Sequence, residues 1–157
     1  MKIIKAFSGG YMILAMSIWQ APAPGWRAIV PLHSTRADVE RLLGAPGDSC
    51  RCQYKTSSEL VRIDYSIERC GKGERSTFNI PPDTVLGITL HPKAQPLFCE
   101  LGLDITKLKK TEDPELRGYF AYTNNDDGIE YNVTIEGRVS SITYFGKLKD
   151  RNDLRCR

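Results

Sequence analysis

Three cysteines form the first group of residues whose types and spacing could do chemistry. Cys50 and Cys52 are one residue apart, and Cys70 follows eighteen residues later. Thiolates at close spacing are typical zinc ligands, but a tetrahedral site needs a fourth ligand. The two histidines of the chain, His33 and His91, stand at no standard distance from these cysteines. We therefore expect no metal site here.

The same two histidines limit the options for nucleophilic catalysis, which needs a serine or cysteine beside a histidine and an orienting carboxylate. His33 precedes a predicted helix, and His91 precedes Pro92 at the end of a predicted strand. Histidines at such positions are more often caps or surface residues. Because the chain also lacks a G-x-S-x-G motif and a Gly-rich phosphate loop, we predict no catalytic residue, no cofactor and no enzymatic activity.

A polar cluster around Gly128 suggests calcium at first sight. Its candidate ligands are Asn124, Asp126, Asp127 and Glu130. An EF-hand needs ligands at alternating positions and a distal glutamate, and that pattern is missing. The same residues are typical of a hairpin turn, which is the interpretation we adopt.

The N-terminus predicts a secretory signal peptide over residues 1–23. Lys2 and Lys5 precede an apolar run at residues 7–19, and small residues and prolines follow. The run is shorter than the about 20 residues that a membrane-spanning helix needs, although an uncleaved N-terminal anchor is the alternative. We expect the mature chain to be exported to the periplasm or the extracellular space, without a transmembrane helix.

The composition is that of a globular protein, with 157 residues of which 41% are hydrophobic and 26% charged. The formal net charge is +3, and loss of the two lysines of the signal would leave +1. Proteins that bind nucleic acid usually carry a much larger positive charge, so we expect no nucleic-acid partner. Asp150 and Asp153 interrupt the basic residues of segment 147–157, which predicts a solvated basic tail.

Residues 26–92 predict a first unit made of one helix and a three-stranded meander. Thr35 and Asp38 are spaced almost as in a capping box, while Gly44 and Pro46 end the helix. After the helix, apolar and polar residues alternate, which is typical of strands with one wet face. The predicted strands are residues 51–56, 61–67 and 84–91.

Residues 97–146 predict a second unit with the same plan, joined to the first through the proline-containing stretch 91–96. Asp104 is a candidate cap for a short helix that carries Ile105 and Leu108. The predicted strands are residues 119–123, 129–135 and 139–145. The expected fold class is therefore α+β, with two tandem units that each combine a helix with an antiparallel three-stranded meander.

Two stretches carry a resemblance to a known family: STRADVERLLGAP at residues 34–46 and YTNNDDGIEYNVTIEGRVSSITY at residues 122–144. They resemble the SmpA/OmlA (BamE-like) outer-membrane assembly proteins and the β-lactamase inhibitor protein, over most of residues 30–145. The resemblance implies the tandem helix-plus-meander fold. The assembly proteins usually have a second helix before the meander and a lipidated N-terminal cysteine, and this chain lacks both, so the resemblance implies the fold more than the function.

The five cysteines are expected to form disulfides if the chain is exported. The ends of two strands in a hairpin lie together, which predicts a bridge from Cys70 to either Cys50 or Cys52. Cys99 and Cys156 are candidates for a second bridge that pins the C-terminus. One cysteine is then left over.

Tyrosines provide the candidate binding surface, since tyrosine is favoured at recognition surfaces. Five tyrosines fall on predicted strands: Tyr54, Tyr65, Tyr122, Tyr131 and Tyr144. They line an exposed sheet face in one interpretation, and in the other they are core residues whose hydroxyls reach water.

Together these features predict an exported, non-enzymatic module that binds another exported or envelope protein. An exported ligand-binding protein or enzyme that uses a groove between the two units is the first alternative. A structural domain without a partner of its own is the second. A deep pocket with converging histidines and carboxylates would favour the first alternative, and a shallow continuous sheet favours protein binding.

Overall fold

A computed structural model describes residues 25–47, 52–73, 77–112 and 118–157 of the chain. The expected signal peptide at residues 1–23 and Cys50 lie outside these ranges. The helices are α1 (Arg36–Leu43) and α2 (Leu148–Asp153), and two 3-10 turns span Phe98–Leu101 and Ile105–Lys107. The strands are β1 (Gln53–Lys55), β2 (Glu59–Tyr65), β3 (Val85–Pro92), β4 (Lys109–Glu112), β5 (Tyr119–Asn124), β6 (Ile129–Thr134) and β7 (Val139–Phe145).

Helix α1 begins at the predicted capping box. The Asp38 amide donates to the Thr35 hydroxyl at 3.3 Å, and the Thr35 amide donates to the Asp38 carboxylate at 3.0 Å. The Thr35 amide and the Thr35 hydroxyl both donate to the Asp38 carboxylate, and these two hydrogen bonds hold the pKa of Asp38 below its usual value. Gly44 ends the helix with a φ of 82°, and its N–H donates to the Glu40 carbonyl oxygen. Since φ is positive there, a residue without a Cβ is favoured.

The six strands expected from alternation are present, and they form one seven-stranded antiparallel sheet in the order β1-β2-β3-β7-β6-β5-β4. The expected fold of two tandem helix-plus-meander units is therefore wrong. Strand β3 pairs with β7, with Ile88 opposite Tyr144 and Leu90 opposite Ile142. Alternation identifies strands and their wet faces, but it does not identify the partner on a strand's second edge.

The protein is mainly β, because both helices are short and the second half contains 3-10 turns where a helix was expected. Asp104 caps the second turn as predicted, by accepting from the Thr106 amide at 3.1 Å. The turn spans three residues, Ile105–Lys107. Helix α2 lies inside the segment that was expected to be a solvated tail.

One face of the sheet, which we name the inner face, carries the apolar side chains of the strands. On β2 the buried residues Val61, Ile63 and Tyr65 alternate with residues that face the opposite side, the outer face. Helix α1 covers this half of the inner face through Val39, which is fully buried. These contacts make the larger of two apolar clusters, and burial of this kind is the main favourable term in folding.

The second cluster covers the other half of the inner face. Tyr131, Val133 and Val139 are its buried residues, and the Phe98 ring packs against it from the first 3-10 turn. Ile142 of β7 packs against both clusters. The inner face is therefore one apolar layer whose two halves meet at β7.

Glycine is required at the turn between β5 and β6. Gly128 has a φ of 67°, and a Cβ at this position would overlap the carbonyl oxygen of Phe145. Asn124 stabilises the same turn, since its side-chain oxygen accepts from the amides of Asp126 and Asp127 at 3.0 and 3.1 Å. The polar cluster considered as a calcium ligand set forms this hairpin turn.

The disulfide between Cys70 and Cys156 ties the loop after β2 to the C-terminus, with the two Cα atoms 5.5 Å apart. The expected bridges from Cys70 to Cys50 or Cys52 and from Cys99 to Cys156 are therefore wrong. Cys99 is an exposed free thiol, and Cys52 is in a disulfide whose partner lies outside the described residues.

The register of the β1–β2 hairpin explains this error. The Cys52 carbonyl oxygen accepts from the Ile63 amide at 2.9 Å, which places Cys52 opposite Ile63. Cys70 lies seven residues further along the chain, beyond the end of β2 at Tyr65. The Cys156 amide instead donates to the Thr77 carbonyl oxygen at 2.9 Å, which brings the C-terminus to this loop.

We expect Val133→Asp to unfold the protein, because it places a charge on the buried inner face of a central strand. The loss should be about 4 kcal/mol or more of the free energy of unfolding. Urea denaturation followed by circular dichroism measures it. Ile135→Asp is the control, since Ile135 is 72% exposed and a surface substitution usually changes stability by less than about 0.5 kcal/mol. Equal losses in the two variants would contradict the assignment of the inner face.

Removal of the disulfide by Cys156→Ser should lower stability strongly. The bridge closes a separation of 86 residues, for which the chain-entropy relation gives about 4.6 kcal/mol. Cys99→Ser is the matched control and should leave the melting temperature unchanged, because that thiol is exposed and free. Peptide mapping of the non-reduced protein should find Cys70 linked to Cys156. A map in which Cys70 is linked to any other cysteine would contradict the pairing.

Candidate binding surface

The outer face of the sheet carries a row of side chains that crosses all seven strands. Each of these residues is the direct partner of the next in the strand registers, so that the row is continuous from one edge of the sheet to the other. Neighbouring side chains in such a row lie about 4.5–5.5 Å apart at their Cβ atoms. The row consists of Gln53, Arg62, Thr89, Thr143, Glu130, Thr123 and Lys109.

Small hydroxyl residues and one carboxylate form the centre of this row and are hydrogen-bonded to one another. The Thr123 hydroxyl donates to the Glu130 carboxylate at 2.9 Å, and the hydroxyls of Thr89 and Thr143 are 3.4 Å apart. In the next row of the outer face, the side-chain amide of Asn132 donates to the Ser141 hydroxyl at 3.2 Å. The centre of the outer face is therefore polar and rich in small hydroxyl side chains.

Cationic side chains stand toward the two edges of the outer face. Arg62 is 54% exposed and lies 3.5 Å from the Asp64 carboxylate. Lys55 on β1 and Lys109 on β4 are exposed at opposite edges of the sheet. The outer face therefore combines a hydroxyl-rich centre with a positively charged periphery.

Three of the five candidate tyrosines belong to the core. Tyr54, Tyr65 and Tyr131 are 2%, 5% and 8% exposed, so they do not line an exposed face. Tyr122 and Tyr144 are half-buried and pack against the apolar clusters of the inner face. The core interpretation holds for these residues because all five share the inner face, where period-2 alternation also places the aliphatic residues.

Burial changes the acidity of three of these tyrosines. It raises the pKa of Tyr65, and the Tyr54 hydroxyl, 3.3 Å away, adds to the effect. Burial also raises the pKa of Tyr131 to about 12 and the pKa of Tyr144 above its usual value. The neutral phenol is the form that the folded protein stabilises.

The histidines lie in two separate environments and do not converge on a nucleophile. His33 Nε2 is 3.2 Å from the Asp150 carboxylate of α2. His91 is exposed near the end of β3, opposite Leu60. Among the described residues neither imidazole is hydrogen-bonded to a serine or cysteine, and no group of three or more metal-ligating side chains occurs.

A groove of about 520 Å³ lies at the Tyr65 end of β2. Its charged groups are paired: Arg36 Nε is 2.9 Å from the Asp83 carboxylate, and the Arg36 guanidinium lies 3.9 Å above the Tyr65 ring. Arg62 and Asp64 also line it. The groove is not between two units, because β3 and β7 are hydrogen-bonded neighbours within one sheet.

The structure thus defines a mainly β protein whose sheet has an apolar inner face and, in the described residues, a polar outer face. None of the helices in the described ranges is long and apolar enough to cross a membrane. No protein-family model matches the sequence, and no curated protein matches it.

A solved structure is similar to the chain: the crystal structure of a DUF4309 family protein (YjgB) from Bacillus subtilis. The TM-score is 0.51, and the match covers 80% of this chain and 86% of that chain at 12% sequence identity. At this identity the likeness concerns the fold alone.

The expected resemblance to the BamE-like family and the β-lactamase inhibitor protein is therefore wrong. Its supporting residues were a helix cap, a helix stop and an alternating hairpin. Any protein with a short helix and an antiparallel hairpin uses such signals, so they do not distinguish one family from another.

Apart from Glu130, the residues of the polar outer row were not among those singled out in the sequence. Its signal was present in the wet positions of the alternating strands, such as Arg62 and Glu130. Its continuity depends on the β3–β7 register and on β4, and neither was predicted. Lys109 was missed because β4, with the sequence KKTE, has no apolar alternation.

Titration of the buried tyrosines should weaken the fold at high pH. Because the Tyr131 pKa is raised from 10.0 to about 12, its contribution to stability is complete below pH 10. It is lost as the pH rises from 10 to 12, where the unfolded chain binds fewer protons than the folded one. The loss is about 2 kcal/mol for Tyr131.

Urea denaturation at pH 7 and pH 11.5 tests this effect. Tyr131→Phe should remove part of the alkaline loss and change stability little at pH 7. Tyr119→Phe, at an exposed tyrosine, should leave the alkaline loss unchanged. A loss of the same size in both variants would show that Tyr131 does not titrate as described.

Proposed function

We propose that this chain is an exported protein that acts by binding another exported or envelope protein, and not by catalysis. One observation carries the proposal: the sheet is covered on its inner face, while the outer face presents a continuous polar row across seven strands. A broad surface built on a hydrogen-bonded sheet is suited to a protein partner more than to a small molecule, which needs a concave site.

The charge of the outer face specifies the chemistry of the partner. Lys55 and Lys109 supply the positive charge at the two edges, and Arg62 is paired with Asp64, while the Glu130 carboxylate in the centre accepts a hydrogen bond from Thr123. Complementary charges at the edges of two contacting surfaces speed up their association and favour the correct partner. We infer a partner whose contacting surface is acidic at its periphery.

Export is supported by two independent features. Lys2 and Lys5 precede an apolar run in the pattern of a secretory signal. The Cys70–Cys156 disulfide is of the kind that persists in the periplasm, the cell surface and the extracellular space. Both features support a compartment outside the cytoplasm.

The groove at the Tyr65 end of β2 favours a second candidate function, the binding of a small ligand. Its volume of about 520 Å³ is within the range of ligand sites. Its paired charges, Arg36 with Asp83 and Arg62 with Asp64, leave little net charge to attract an ionic ligand. A small molecule that stays bound in native mass spectrometry of the exported protein is the expected result of this alternative.

Site-specific photo-crosslinking tests the protein-binding proposal. A photo-reactive amino acid at Thr143, in the centre of the outer row, should cross-link one protein partner when the full chain is exported by its native host. The same amino acid at Arg41 of α1, whose side chain is 73% exposed and away from the outer face, should not. Absence of any cross-link from Thr143, or equal cross-linking from both positions, would contradict the proposal.

The purified partner then allows a test of the charged periphery. Arg62→Glu should weaken binding about tenfold, mainly through a slower association rate that is also salt-dependent. Lys72→Glu makes the same change of charge at an exposed loop residue and should weaken binding less than twofold. Equal effects of the two variants would contradict the assignment of the binding face.

A further inference from the structure

A second concave site lies at the C-terminal end of the described chain, apart from the groove and the centre of the outer row. We name it the C-terminal pocket. It has a volume of about 260 Å³. Its lining comes from helix α2, from Arg155 two residues after that helix, and from the loop between β2 and β3. The lining residues are Thr77, Phe78, Leu148, Arg151, Asn152 and Arg155.

The walls of the C-terminal pocket are held together by backbone bonds and a covalent bond. The Asn79 amide donates to the Leu154 carbonyl oxygen at 2.7 Å, and the Cys156 amide donates to the Thr77 carbonyl oxygen at 2.9 Å. The Cys70–Cys156 disulfide closes the same corner. The lining side chains are therefore presented from a pre-organised backbone.

Arg151 is the central group of the pocket. One end of its guanidinium donates to the Asn125 side-chain oxygen at 2.8 Å, and the guanidinium lies 5.0 Å from the centroid of the Phe145 ring. Its Nε is buried and has no hydrogen-bond acceptor among the described residues. A buried donor without an acceptor costs about 1–3 kcal/mol, so each such group calls for an explanation.

Other arginines of the protein have carboxylate partners. Arg36 pairs with Asp83, and Arg41 pairs with Asp38. Within the described ranges Arg151 has no carboxylate partner. The second arginine of the pocket, Arg155, likewise forms no ion pair with a described residue. The C-terminal pocket thus concentrates two positive charges that no carboxylate of the described residues neutralises.

The geometry points to an oxyanion as the ligand of this pocket, and we propose that the C-terminal pocket binds a small molecule through one phosphate-like oxyanion group. A guanidinium fork matches the oxygens of such a group, and hydrogen bonds between two charged groups are about twice as strong as neutral ones. Arg151 and Arg155 supply two positive charges, and neither is paired with a described carboxylate. The Asn152 side-chain amide adds a donor at the same wall.

The size of the pocket limits the rest of the ligand. A volume of about 260 Å³ is below the about 300–1,000 Å³ of typical ligand sites. Phe78 and Leu148 form the apolar part of the lining. The pocket therefore takes a compact anion, or the anionic end of a larger molecule with a short apolar segment, and not a whole nucleotide.

Titration of the full exported chain with inorganic phosphate at pH 7 and constant ionic strength tests the proposal. Binding should saturate, and the largest NMR shift changes should occur at the Arg151 Nε–H and at the amides of Thr77 and Asn152. Absence of saturation up to 100 mM phosphate, about the weakest binding that a built site would show, would overturn it. Saturation without a change at Arg151 Nε–H would place the anion elsewhere and would also overturn it.

Two variants separate a specific site from general charge attraction. Arg155→Gln removes a charge at an exposed lining residue and should weaken phosphate binding about tenfold, as expected for loss of a charged hydrogen bond. Lys149→Gln removes the same charge from an exposed residue of α2 outside the lining and should weaken it less than twofold. Equal losses would show non-specific attraction. Because both positions are exposed, unchanged melting temperatures verify that the two variants are folded.

Discussion

Antiparallel hydrogen bonding between β3 and β7 joins the strands β1–β3 to the strands β4–β7, and residues 93–138 separate the two paired strands along the chain. Without this pairing each group would have a further open edge and a smaller apolar layer. With it, Ile142 packs against both apolar clusters, and the inner face becomes continuous. A pairing over this distance must overcome the entropy of closing a long loop, and the shared burial of the two halves offsets that cost.

The remaining edges of the sheet are short and charged. Strand β1 has three residues, and β4 has four exposed residues that include Lys109 and Lys110. Lysines and short edge strands hinder pairing with a second sheet. Lys110 also lies 3.9 Å from the centroid of the Phe120 ring, which anchors the β4 edge through a cation–π contact. The edges of the sheet are thus protected from further strand addition.

Local features of this protein were predictable from its sequence, and non-local features were not. Thr35 and Asp38 predicted the start of α1, and the alternation around Ile63 predicted β2, because each signal is complete within a few residues. The β3–β7 register, the burial of Tyr54 and the partner of Cys70 depend on residues far along the chain. Alternation also separates two faces without stating which one is buried, and for this reason the tyrosines of the inner face were candidates for an exposed surface.

The outer row and the C-terminal pocket adjoin at one end of β7. The Phe145 ring lies on the outer face, opposite Gly87, and the Arg151 guanidinium of the C-terminal pocket lies against it. The outer row and the C-terminal pocket are therefore neighbouring parts of the same side of the molecule. Both sites present positive charge. An acidic partner on the outer face and an anion in the C-terminal pocket would therefore contact different positively charged residues.

The Cys70–Cys156 bond has a mechanical consequence. A pulling force applied between the two ends of the chain would pass from Cys70 directly to Cys156, across a bond that spans 86 positions of sequence. Strands β3 to β7 lie inside that covalent ring and would carry no tension along their backbone. At about 3.5 Å per residue, roughly 300 Å of contour length would remain locked until the disulfide is reduced. A covalent bond would therefore resist the stretching of this part of the chain. Without the disulfide, the hydrogen bonds of the sheet would have to carry the same force.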